Sequence, residues 1–255
     1  MIKVAVAGFA GRMGSAVVDA VTAADDMEIV CGIDPFAKPA DFPTYSEIAQ
    51  AVEGEDFDVL VDFTQPSVVA GNVEVALSAG VDCVVGTTGL SNETLEGLAA
   101  KATGDACLFY APNFTTGAVL MMQFAKAAAP FFPEAEVIEF HHCNKKDAPS
   151  GTAVRTAQMI AEARDFTSSA PGSETEIEGF EGARGALVEG VPVHSVRSMG
   201  FVATQEVIFG SMGQTLSIKH DSWDRTSYMP GVLLGIRSVG EQSGLVVGLE
   251  NFMDA

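Results

Sequence analysis

The chain has 255 residues, with 14 lysines and arginines against 34 aspartates and glutamates, which gives a formal net charge of -20 at pH 7. This acidity argues against a nucleic-acid partner, because phosphate backbones are bound by basic patches. The length allows one large domain or two modest ones, and 47% hydrophobic residues with 26 glycines is typical of compact globular enzymes.

The first part of the chain alternates short β-branched runs with helical patterns, starting with a strand at the N-terminus rather than a signal peptide. Five further strands are predicted after it, the last of them near the end of the chain. Strands alternating with helices predict an α/β, Rossmann-type, doubly wound parallel sheet. The predicted strands of this dinucleotide-binding domain, residues 1–114 and 226–255, are 2–7, 29–33, 59–63, 83–85, 108–111 and 245–249.

Beyond Asn113 the pattern changes. We predict a second, α+β domain over residues 115–225, with a long surface loop at 165–192. Residues 193–197, 201–209 and 214–220 are predicted to be antiparallel strands, the last two joined by a Gly-Ser-Met-Gly turn. The other elements expected in this domain are a helix at 118–129, a strand at 137–142 and a helix that begins near Gly151.

Two compositional features bear on the location of the protein. The four cysteines lie far apart without a CxxC pair, so we expect reduced thiols in a cytoplasmic protein. The charge-free stretch from Ala106 to Ala125 has the length of a membrane span, but Pro112 and several polar residues interrupt it. We therefore expect a strand, a polar loop and a buried helix there, and no membrane partner.

A glycine-rich loop, GFAGRMG (8–14), follows the first strand and opens a helix. In that context backbone N–H groups and the positive helix end can receive a pyrophosphate, although a plain tight turn is the alternative. Asp34 ends the second strand, where an acidic group binds the ribose hydroxyls of a dinucleotide. Its carboxylate favours NAD over NADP, whereas Arg12 could offset it, so the cofactor preference stays open.

Two more loops, GTTG (86–89) and APNF (111–114), follow the fourth and fifth predicted strands. In an open parallel sheet, these carboxyl ends line the ligand crevice. Either loop could equally be a plain connection from strand to helix.

Two of the four histidines and two adjacent lysines lie in one segment, EFHHCNKKDAPSGT (139–152). Strand alternation sends His141 and His142 to opposite faces, so at most one of them points directly into a given cleft. Ser150, Gly151 and Thr152 then open a helix, and a helix N-terminus receives a carboxylate well. Together these features predict a site for an anionic substrate with a proton donor beside it.

This segment has two other interpretations. A zinc site is disfavoured, because consecutive ligands on one strand diverge and no second ligand cluster exists, so we expect no metal. A solvated turn with polar strand ends is the default for an isolated histidine pair. Of the remaining cations, we interpret Arg197 as a face or interface residue, whereas Arg225 could reach an anion.

Several motifs together resemble the 4-hydroxy-tetrahydrodipicolinate reductases (dihydrodipicolinate reductases) of the diaminopimelate route to lysine. The resemblance runs from the first residues to about Gly231, and it implies a nucleotide-binding domain plus a substrate domain whose open mixed sheet builds a homotetramer. It also implies that NADH or NADPH reduces a cyclic dicarboxylate. The motifs are GFAGRMG, GTTG, APNF, HHCNKKDAPSGTA, VPVHSVRSMGFVATQEVIFG and HDSWDRTSYMPGV.

By this resemblance, His141 is the proton donor and Lys145 assists protonation. Contacts to the substrate are implied for His142, Gly151 and Thr152, which join Ser150 at the predicted helix start. Contacts to the cofactor are implied for Gly8, Phe9, Ala10, Gly11, Arg12, Met13, Asp34, Gly86, Thr87, Thr88, Ala111, Pro112, Asn113 and Phe114.

The chemistry of these residues agrees with that reaction. Hydride delivered to a conjugated ring leaves enamine character that must be protonated, and a histidine can supply the proton near neutral pH. Two departures from the family pattern stand out. Cys143 and Asn144 fill variable positions, and Pro35 follows Asp34 where some members carry an arginine, which leaves an NADP phosphate to Arg12 or Lys38.

Two rival functions remain for a chain with this glycine-rich loop. Another two-domain dehydrogenase, of the aspartate-semialdehyde, homoserine or sugar type, would need a different constellation in its second domain, and DAPSGTA argues against it. A non-enzymatic nucleotide-sensing module would dispense with His141 and Lys145, whose presence argues against that alternative.

Overall fold

Strands and helices alternate along most of the chain in the computed structural model, which describes residues 1–36, 39–164 and 179–253. The strands are β1 (Ile2–Ala7), β2 (Met27–Ile33), β3 (Thr44–Tyr45), β4 (Val59–Asp62), β5 (Asp82–Val85), β6 (Cys107–Tyr110), β7 (Glu134–His141), β8 (Ala186–Val188), β9 (Val191–Arg197), β10 (Ala203–Ser211), β11 (Gln214–Ser222) and β12 (Gly244–Val247). The α-helices are α1 (Arg12–Thr22), α2 (Ile48–Gly54), α3 (Val69–Ser78), α4 (Asn92–Ala99), α5 (Thr116–Ala128), α6 (Gly151–Glu162) and α7 (Met229–Val239).

Contacts between residues divide the chain into two units. The first unit is Met1–Thr116 with Arg225–Ala255, and the second is Gly117–Asp224. Each unit contains one sheet of its own.

The sheet of the first unit is parallel, with the strand order β12, β6, β5, β4, β1, β2, β3 in the described part of the chain. Helices α2, α3 and α4 pack on one face, in a core that includes Leu60, Leu77 and Leu108. Helices α1 and α7 contact each other and pack on the other face. The predicted doubly wound sheet is therefore confirmed, and β12 joins it as expected.

Strand order reverses at β1, which pairs with β2 on one side and with β4 on the other. In open α/β sheets, ligands bind outside the carboxyl ends of the strands at such a switch point. The loops that follow β1, β2 and β4 therefore surround the expected ligand crevice.

The sheet of the second unit is mixed, with the strand order β11, β10, β7, β9, β8 among the described residues. β7 and β9 are parallel, and helix α6 lies between them in the chain. The remaining pairs are antiparallel. The expected mixed sheet is confirmed, but the antiparallel assignment of residues 193–197 holds only for the pairing of Val193 with β8, because all five residues pair in parallel with β7 on the other side.

The long loop predicted at residues 165–192 is corrected at its end. A short strand, β8, occupies Ala186–Val188 and forms an antiparallel hairpin with β9, which begins at Val191. The apolar pairs Ala186 with Val193 and Val188 with Val191 join the two strands. The rest of this prediction, over residues 165–178, lies outside the described residues.

One face of the second sheet is covered by helices. Ala125 of α5 and Ala157 and Ile160 of α6 pack against Val137 and Phe209 of the strands. On β7, the alternate residues Glu136, Ile138 and Phe140 retain partial exposure, as strand alternation requires for the opposite face. This second face is therefore less completely covered than the first.

Two general features of the described residues complete the fold. None of the helices in residues 1–36, 39–164 and 179–253 has the length and apolarity needed to cross a membrane. All four cysteines are free thiols, and Cys31, Cys83 and Cys107 are buried while Cys143 is exposed.

Candidate active site

The glycine-rich loop after β1 brings backbone very close to backbone. Gly8 has a φ of +77°, and a Cβ at Gly14 would lie 2.1 Å from the Gly8 carbonyl oxygen, so both positions require glycine. Gly11 stands at the N-cap of α1, where it has no side chain to bind the first amide groups of the helix. This helix N-terminus fits the pyrophosphate of a dinucleotide, which backbone N–H groups and the helix dipole would hold.

A cavity of about 800 Å³ opens beside this loop, within the first unit. Its lining combines the loop after β1 with residues that follow β2 and β4. Asp34 lies at its wall and accepts a hydrogen bond from the backbone N of Phe36 at 2.9 Å. The lining includes Gly8, Gly11, Arg12, Met13, Asp34, Phe36, Ile48, Thr64 and Asn72.

Not every residue of the predicted cofactor loop faces this cavity. The Phe9 ring is buried against Phe42, with ring centroids 5.4 Å apart, and Ala10 is exposed. Any contact that Phe9 makes with a cofactor would therefore come from its backbone. Lys38, the second candidate for binding an NADP phosphate, lies outside the described residues.

The two loops after β5 and β6 are built around aromatic side chains. A Cβ at Gly86 would lie 2.1 Å from the Phe63 ring, so any side chain at this position would force that ring to move. Phe114 is buried and contacts Phe63, with centroids 5.7 Å apart. Ala111 is also buried, whereas Thr88 and Pro112 are exposed. The side-chain oxygen of Asn113 accepts a hydrogen bond from the backbone N of Thr115 at 2.9 Å.

A buried carboxylate, Asp62, connects these loops. It is fully buried at the end of β4, and its Oδ1 accepts hydrogen bonds from the Thr64 backbone N at 2.9 Å and hydroxyl at 2.7 Å, and from the Thr87 hydroxyl at 2.8 Å. The Asn72 amide donates to Oδ2 at 2.9 Å. Sequence reasoning missed Asp62, although a single acid that ends the apolar run VLVD was a usable signal.

In the second unit, His141 at the end of β7 lies against a buried carboxylate. Its Nδ1 is 2.5 Å from Oε2 of Glu139, two residues earlier on the same strand and therefore on the same face. The His141 side chain is 15% exposed and that of Glu139 is fully buried. Sequence reasoning left Glu139 without a role, although strand periodicity could have paired it with His141.

Arg197 on β9 forms the ion pair that Glu139 requires. Its Nη1 and Nη2 donate to the two carboxylate oxygens of Glu139 at 2.8 and 2.7 Å. The sequence predicts a face or interface residue at this position, and the structure corrects that prediction, because the Arg197 side chain is bound to a buried carboxylate. The parallel register of β7 and β9 sets His141 opposite Arg197, which no local sequence pattern could reveal.

Burial, hydrogen bonds and neighbouring charges all shift the pKa values of Glu139 and His141. Burial by itself would raise the pKa of Glu139, but hydrogen bonds from Arg197, Ser195 and His141 outweigh it and hold that pKa below its ordinary value. Burial lowers the pKa of His141, and the charges of Lys145 and Arg197 add to this, while Glu139 opposes the shift. The pKa values of Glu139 and His141 thus both lie below those of freely solvated groups.

The rest of the predicted segment surrounds this cluster. Lys145 Nζ lies 2.8 Å from Asp147 Oδ1, and the Asp147 carbonyl accepts a hydrogen bond from Arg197 at 2.7 Å. Ser150 caps α6, since its hydroxyl accepts from the Ala153 backbone N at 3.2 Å. Gly151 and Thr152 form the first turn of that helix, and His142 is exposed just beyond β7.

The other two histidines lie elsewhere in the second unit. His194 Nε2 is 2.8 Å from Glu136 Oε2, and the His220 ring packs where Gly117 has no side chain.

Within residues 1–36, 39–164 and 179–253, no group of three or more histidine, cysteine, aspartate or glutamate side chains could hold a metal ion. Arg225 is exposed at the start of a short 3-10 helix.

Comparison with models of protein families shows which family the chain belongs to. Two family models match, one described as dihydrodipicolinate reductase, N-terminus, over residues 2–114, and one as dihydrodipicolinate reductase, C-terminus, over residues 117–253. The chain belongs to the dihydrodipicolinate reductase family. The resemblance found in the sequence motifs is therefore confirmed.

Individual members of the family match the chain over its full length. The 4-hydroxy-tetrahydrodipicolinate reductase of Listeria welshimeri is 49% identical, covering 99% of this chain and 100% of the relative. That of Mycolicibacterium vanbaalenii is 47% identical, covering 99% of each. A dipicolinate-bound dihydrodipicolinate reductase from a Paenisporosarcina species has a TM-score of 0.88 at 41% identity, covering 99% of this chain and 100% of that one.

Proposed function

We propose that the protein reduces (2S,4S)-4-hydroxy-2,3,4,5-tetrahydrodipicolinate to (S)-2,3,4,5-tetrahydrodipicolinate with NADH or NADPH, in the diaminopimelate route of lysine biosynthesis. The observation that carries this proposal is a family match over both units, joined to the His141 and Glu139 contact in the second. The substrate carries a hydroxyl that the product lacks. This hydroxyl and a neighbouring ring hydrogen must leave as water, which gives a conjugated ring, and that ring then takes up a hydride and a proton.

The bound dinucleotide supplies the hydride, and residues of this chain supply the proton. His141 in its charged form donates a proton from the ring to the enamine carbon that hydride addition leaves. Lys145, 22% exposed and held by Asp147, contributes positive charge where negative charge develops. A group in this role stabilises the transition state by on the order of a few kcal/mol.

The carboxylates of the substrate are assigned to the start of α6. Gly151 and Thr152 offer backbone N–H groups in its first turn, and the Thr152 hydroxyl adds a donor. Ser150 caps this helix through its hydroxyl oxygen, which leaves the hydroxyl hydrogen to donate to the substrate. The exposed His142 adds a further polar contact.

The first unit is assigned to the dinucleotide. Gly8 to Met13 hold the pyrophosphate, and Asp34 binds the adenosine ribose at the wall of the 800 Å³ cavity. Gly86 to Thr88 and Ala111 to Phe114, at the carboxyl ends of β5 and β6, complete the cofactor contacts. Residues 1–114 with 226–255 thus form the dinucleotide-binding domain, and residues 115–225 the substrate-binding and tetramerisation domain.

The activity is tested by following NADH and NADPH oxidation on substrate generated from aspartate semialdehyde and pyruvate. We expect both the coupled reaction and dipicolinate binding, which calorimetry measures without turnover. Purified protein that oxidises neither cofactor would contradict the proposal. A Gly14→Ala variant serves as a control, because its Cβ would meet the Gly8 carbonyl oxygen and should abolish cofactor binding while dipicolinate binding remains.

The quaternary structure and location complete the proposal. The protein is a homotetramer assembled through the partly exposed face of the second sheet, where Ile138, Phe140 and Ile208 lie. Its free thiols favour a cytoplasmic location, and its partners are small molecules rather than nucleic acids or membranes. Light scattering that gives a monomer at micromolar concentration would contradict the assembly.

A further inference from the structure

Glu139 joins three elements of the second unit through one fully buried carboxylate. Oε2 contacts His141 Nδ1 on β7 at 2.5 Å and accepts from Arg197 Nη1 on β9 at 2.8 Å. Oε1 accepts from Arg197 Nη2 at 2.7 Å and from the backbone N of Ser150, at the start of α6, at 3.2 Å. A buried charge is tolerated when it is paired and hydrogen-bonded in this way.

The contact decides which nitrogen of His141 carries a hydrogen. An ionised carboxylate can only accept hydrogen bonds, so Nδ1 must donate in both the neutral and the charged ring. The proton that comes and goes therefore resides on Nε2. The bidentate ion pair with Arg197 keeps Glu139 ionised, because protonating the carboxylate would leave a guanidinium without its counter-charge.

Arg197 extends the same arrangement to the loop that carries Lys145. Its Nη2 also donates to the Asp147 carbonyl at 2.7 Å, and the Asp147 carboxylate holds Lys145 Nζ at 2.8 Å. The two ends of the segment, His141 and Ser150, thus meet at Glu139, while the middle is held by Arg197. This ion pair therefore contacts the segment at His141, Asp147 and Ser150.

We infer that Glu139 and Arg197 form a positioning pair, in which Glu139 sets His141 to donate through Nε2 and Arg197 holds Glu139 and the Lys145 loop in place. The inference rests on the proposed function, since the pair has this task only if His141 delivers a proton. In the step, the proton leaves Nε2 for the substrate carbon, and the neutral ring keeps its hydrogen on Nδ1. Glu139 neither gains nor loses a proton.

The tautomer is tested directly by nuclear magnetic resonance on the wild-type protein. Long-range ¹H–¹⁵N correlation spectra of histidine-labelled protein distinguish Nδ1–H from Nε2–H rings, and a His141→Gln variant identifies the His141 signals among those of four histidines. We expect neutral His141 to be the Nδ1–H tautomer, and we expect a Glu139→Gln variant to lose this strict preference. An Nε2–H tautomer in the wild type would overturn the inference.

The kinetic test compares two glutamates on the same strand. Glu139→Gln should lower kcat by roughly 10- to 100-fold, because the ring is no longer held in one tautomer. It should also move the pH midpoint of kcat/KM to lower pH, because a carboxylate that favours the charged ring is lost. Glu136 is the matched control, since it also lies between an arginine, Arg184, and a histidine, His194.

We expect Glu136→Gln to keep kcat and the pH midpoint close to those of the wild type. A Glu139→Gln variant that behaves in the same way would overturn the inference. Should this variant fail to fold, Arg197→Lys provides the second measurement, because it keeps the charge but loses the bidentate geometry. It should lower kcat while unfolding cooperatively, and unchanged kcat and pH midpoint would count against the pair.

The outcomes separate this inference from the proposed function. A wild-type protein that reduces nothing contradicts the proposed function and removes the task of the pair. An active wild type with His141 in the Nε2–H form contradicts the positioning pair alone. Dipicolinate binding to each variant checks that its second unit is intact.

Discussion

The Asp62 carboxylate and the Thr87 hydroxyl lie 2.8 Å apart, although 25 residues separate them in the sequence. Asp62 ends β4 and Thr87 follows β5, so the contact joins the loops after two neighbouring strands. Because the backbone N and the hydroxyl of Thr64 donate to the same carboxylate oxygen, three donors from two loop residues share one acceptor. The shape of the loops at the carboxyl ends of β4 and β5 therefore depends on a single buried carboxyl group.

Substituting Asp62 tests this dependence. In Asp62→Asn the amide brings donors to a place surrounded by donors, so we expect unfolding free energy to fall by about 1–3 kcal/mol. NADH binding should also weaken, because Thr64 and Asn72 line the cavity. Denaturant unfolding and fluorescence titration measure both effects. Asp56→Asn is the control, since the Asp56 side chain is 91% exposed and should change neither.

The proton donor and its assisting cation can be removed one at a time. His141→Gln and Lys145→Ala should each lower kcat by roughly 10²- to 10³-fold, the range for loss of a general acid or an electrostatic donor. The NADH dissociation constant should hardly change, because both residues lie in the second unit. Lys146→Ala, at the exposed neighbouring position, should keep kcat near the wild-type value. Near-normal kcat in His141→Gln would contradict the assigned role.

Thr152 is expected to act on binding rather than on the chemical step. Thr152→Val removes a hydroxyl from the proposed carboxylate site, and that contact exists in the ground state and the transition state alike. The KM for the substrate should rise while kcat stays close to the wild-type value. Thr215→Val, on the exposed strand β11, is the control for loss of a hydroxyl. A fall in kcat at unchanged KM would show that the roles in this segment are wrongly assigned.

Cofactor preference should follow from Asp34. We expect NADH to be used at least as well as NADPH. If the 2′-phosphate of NADPH lay beside this carboxylate without a basic partner, NADPH binding would be weaker by about 1–3 kcal/mol. Arg12 also lines the cavity and would reduce that loss. Steady-state kcat/KM with each cofactor measures the preference. A preference for NADPH of roughly a hundredfold would correspond to about 2.8 kcal/mol and show that a basic residue dominates.

The rate should depend on the charge state of His141. The ring must be charged to donate, and burial lowers its pKa, with Lys145 and Arg197 adding to the shift and Glu139 opposing it. We therefore expect kcat/KM for the substrate to decline as pH rises through a midpoint below about 6.5, the ordinary histidine value. Initial rates over a range from about pH 5 to 9 measure this, and a rate that increases with pH would contradict it.

Local patterns predicted most of the first unit. The β-branched runs at β1, β4 and β5 are buried on both sides of the sheet, so their composition alone identifies them as strands. Strand β3 and helix α2 were missed. β3 has two residues, and α2 has seven with only Ile48 and Ala51 buried, so neither element carries a pattern long enough to recognise.

Relationships between distant residues could not be predicted in the same way. Glu139 and Arg197 are separated by 58 residues, and their contact depends on the parallel pairing of β7 and β9. Pairing is decided by the packing of α6 and both strands in one core, which leaves no trace in the neighbouring sequence. Motif resemblance identified the segment around His141, but only the three-dimensional structure identified the ion pair beneath it.

The distribution of the thiols makes the segment around His141 accessible to selective labelling. Cys143 is exposed between His142 and Asn144, whereas burial raises the pKa of Cys31 to about 12 and that of Cys107 to about 11, which makes both poor nucleophiles. Cys83 is buried as well. A fluorophore carried on a mild alkylating reagent should therefore attach at Cys143 in the folded protein, where its emission would report the arrival of a dicarboxylate in real time without any turnover.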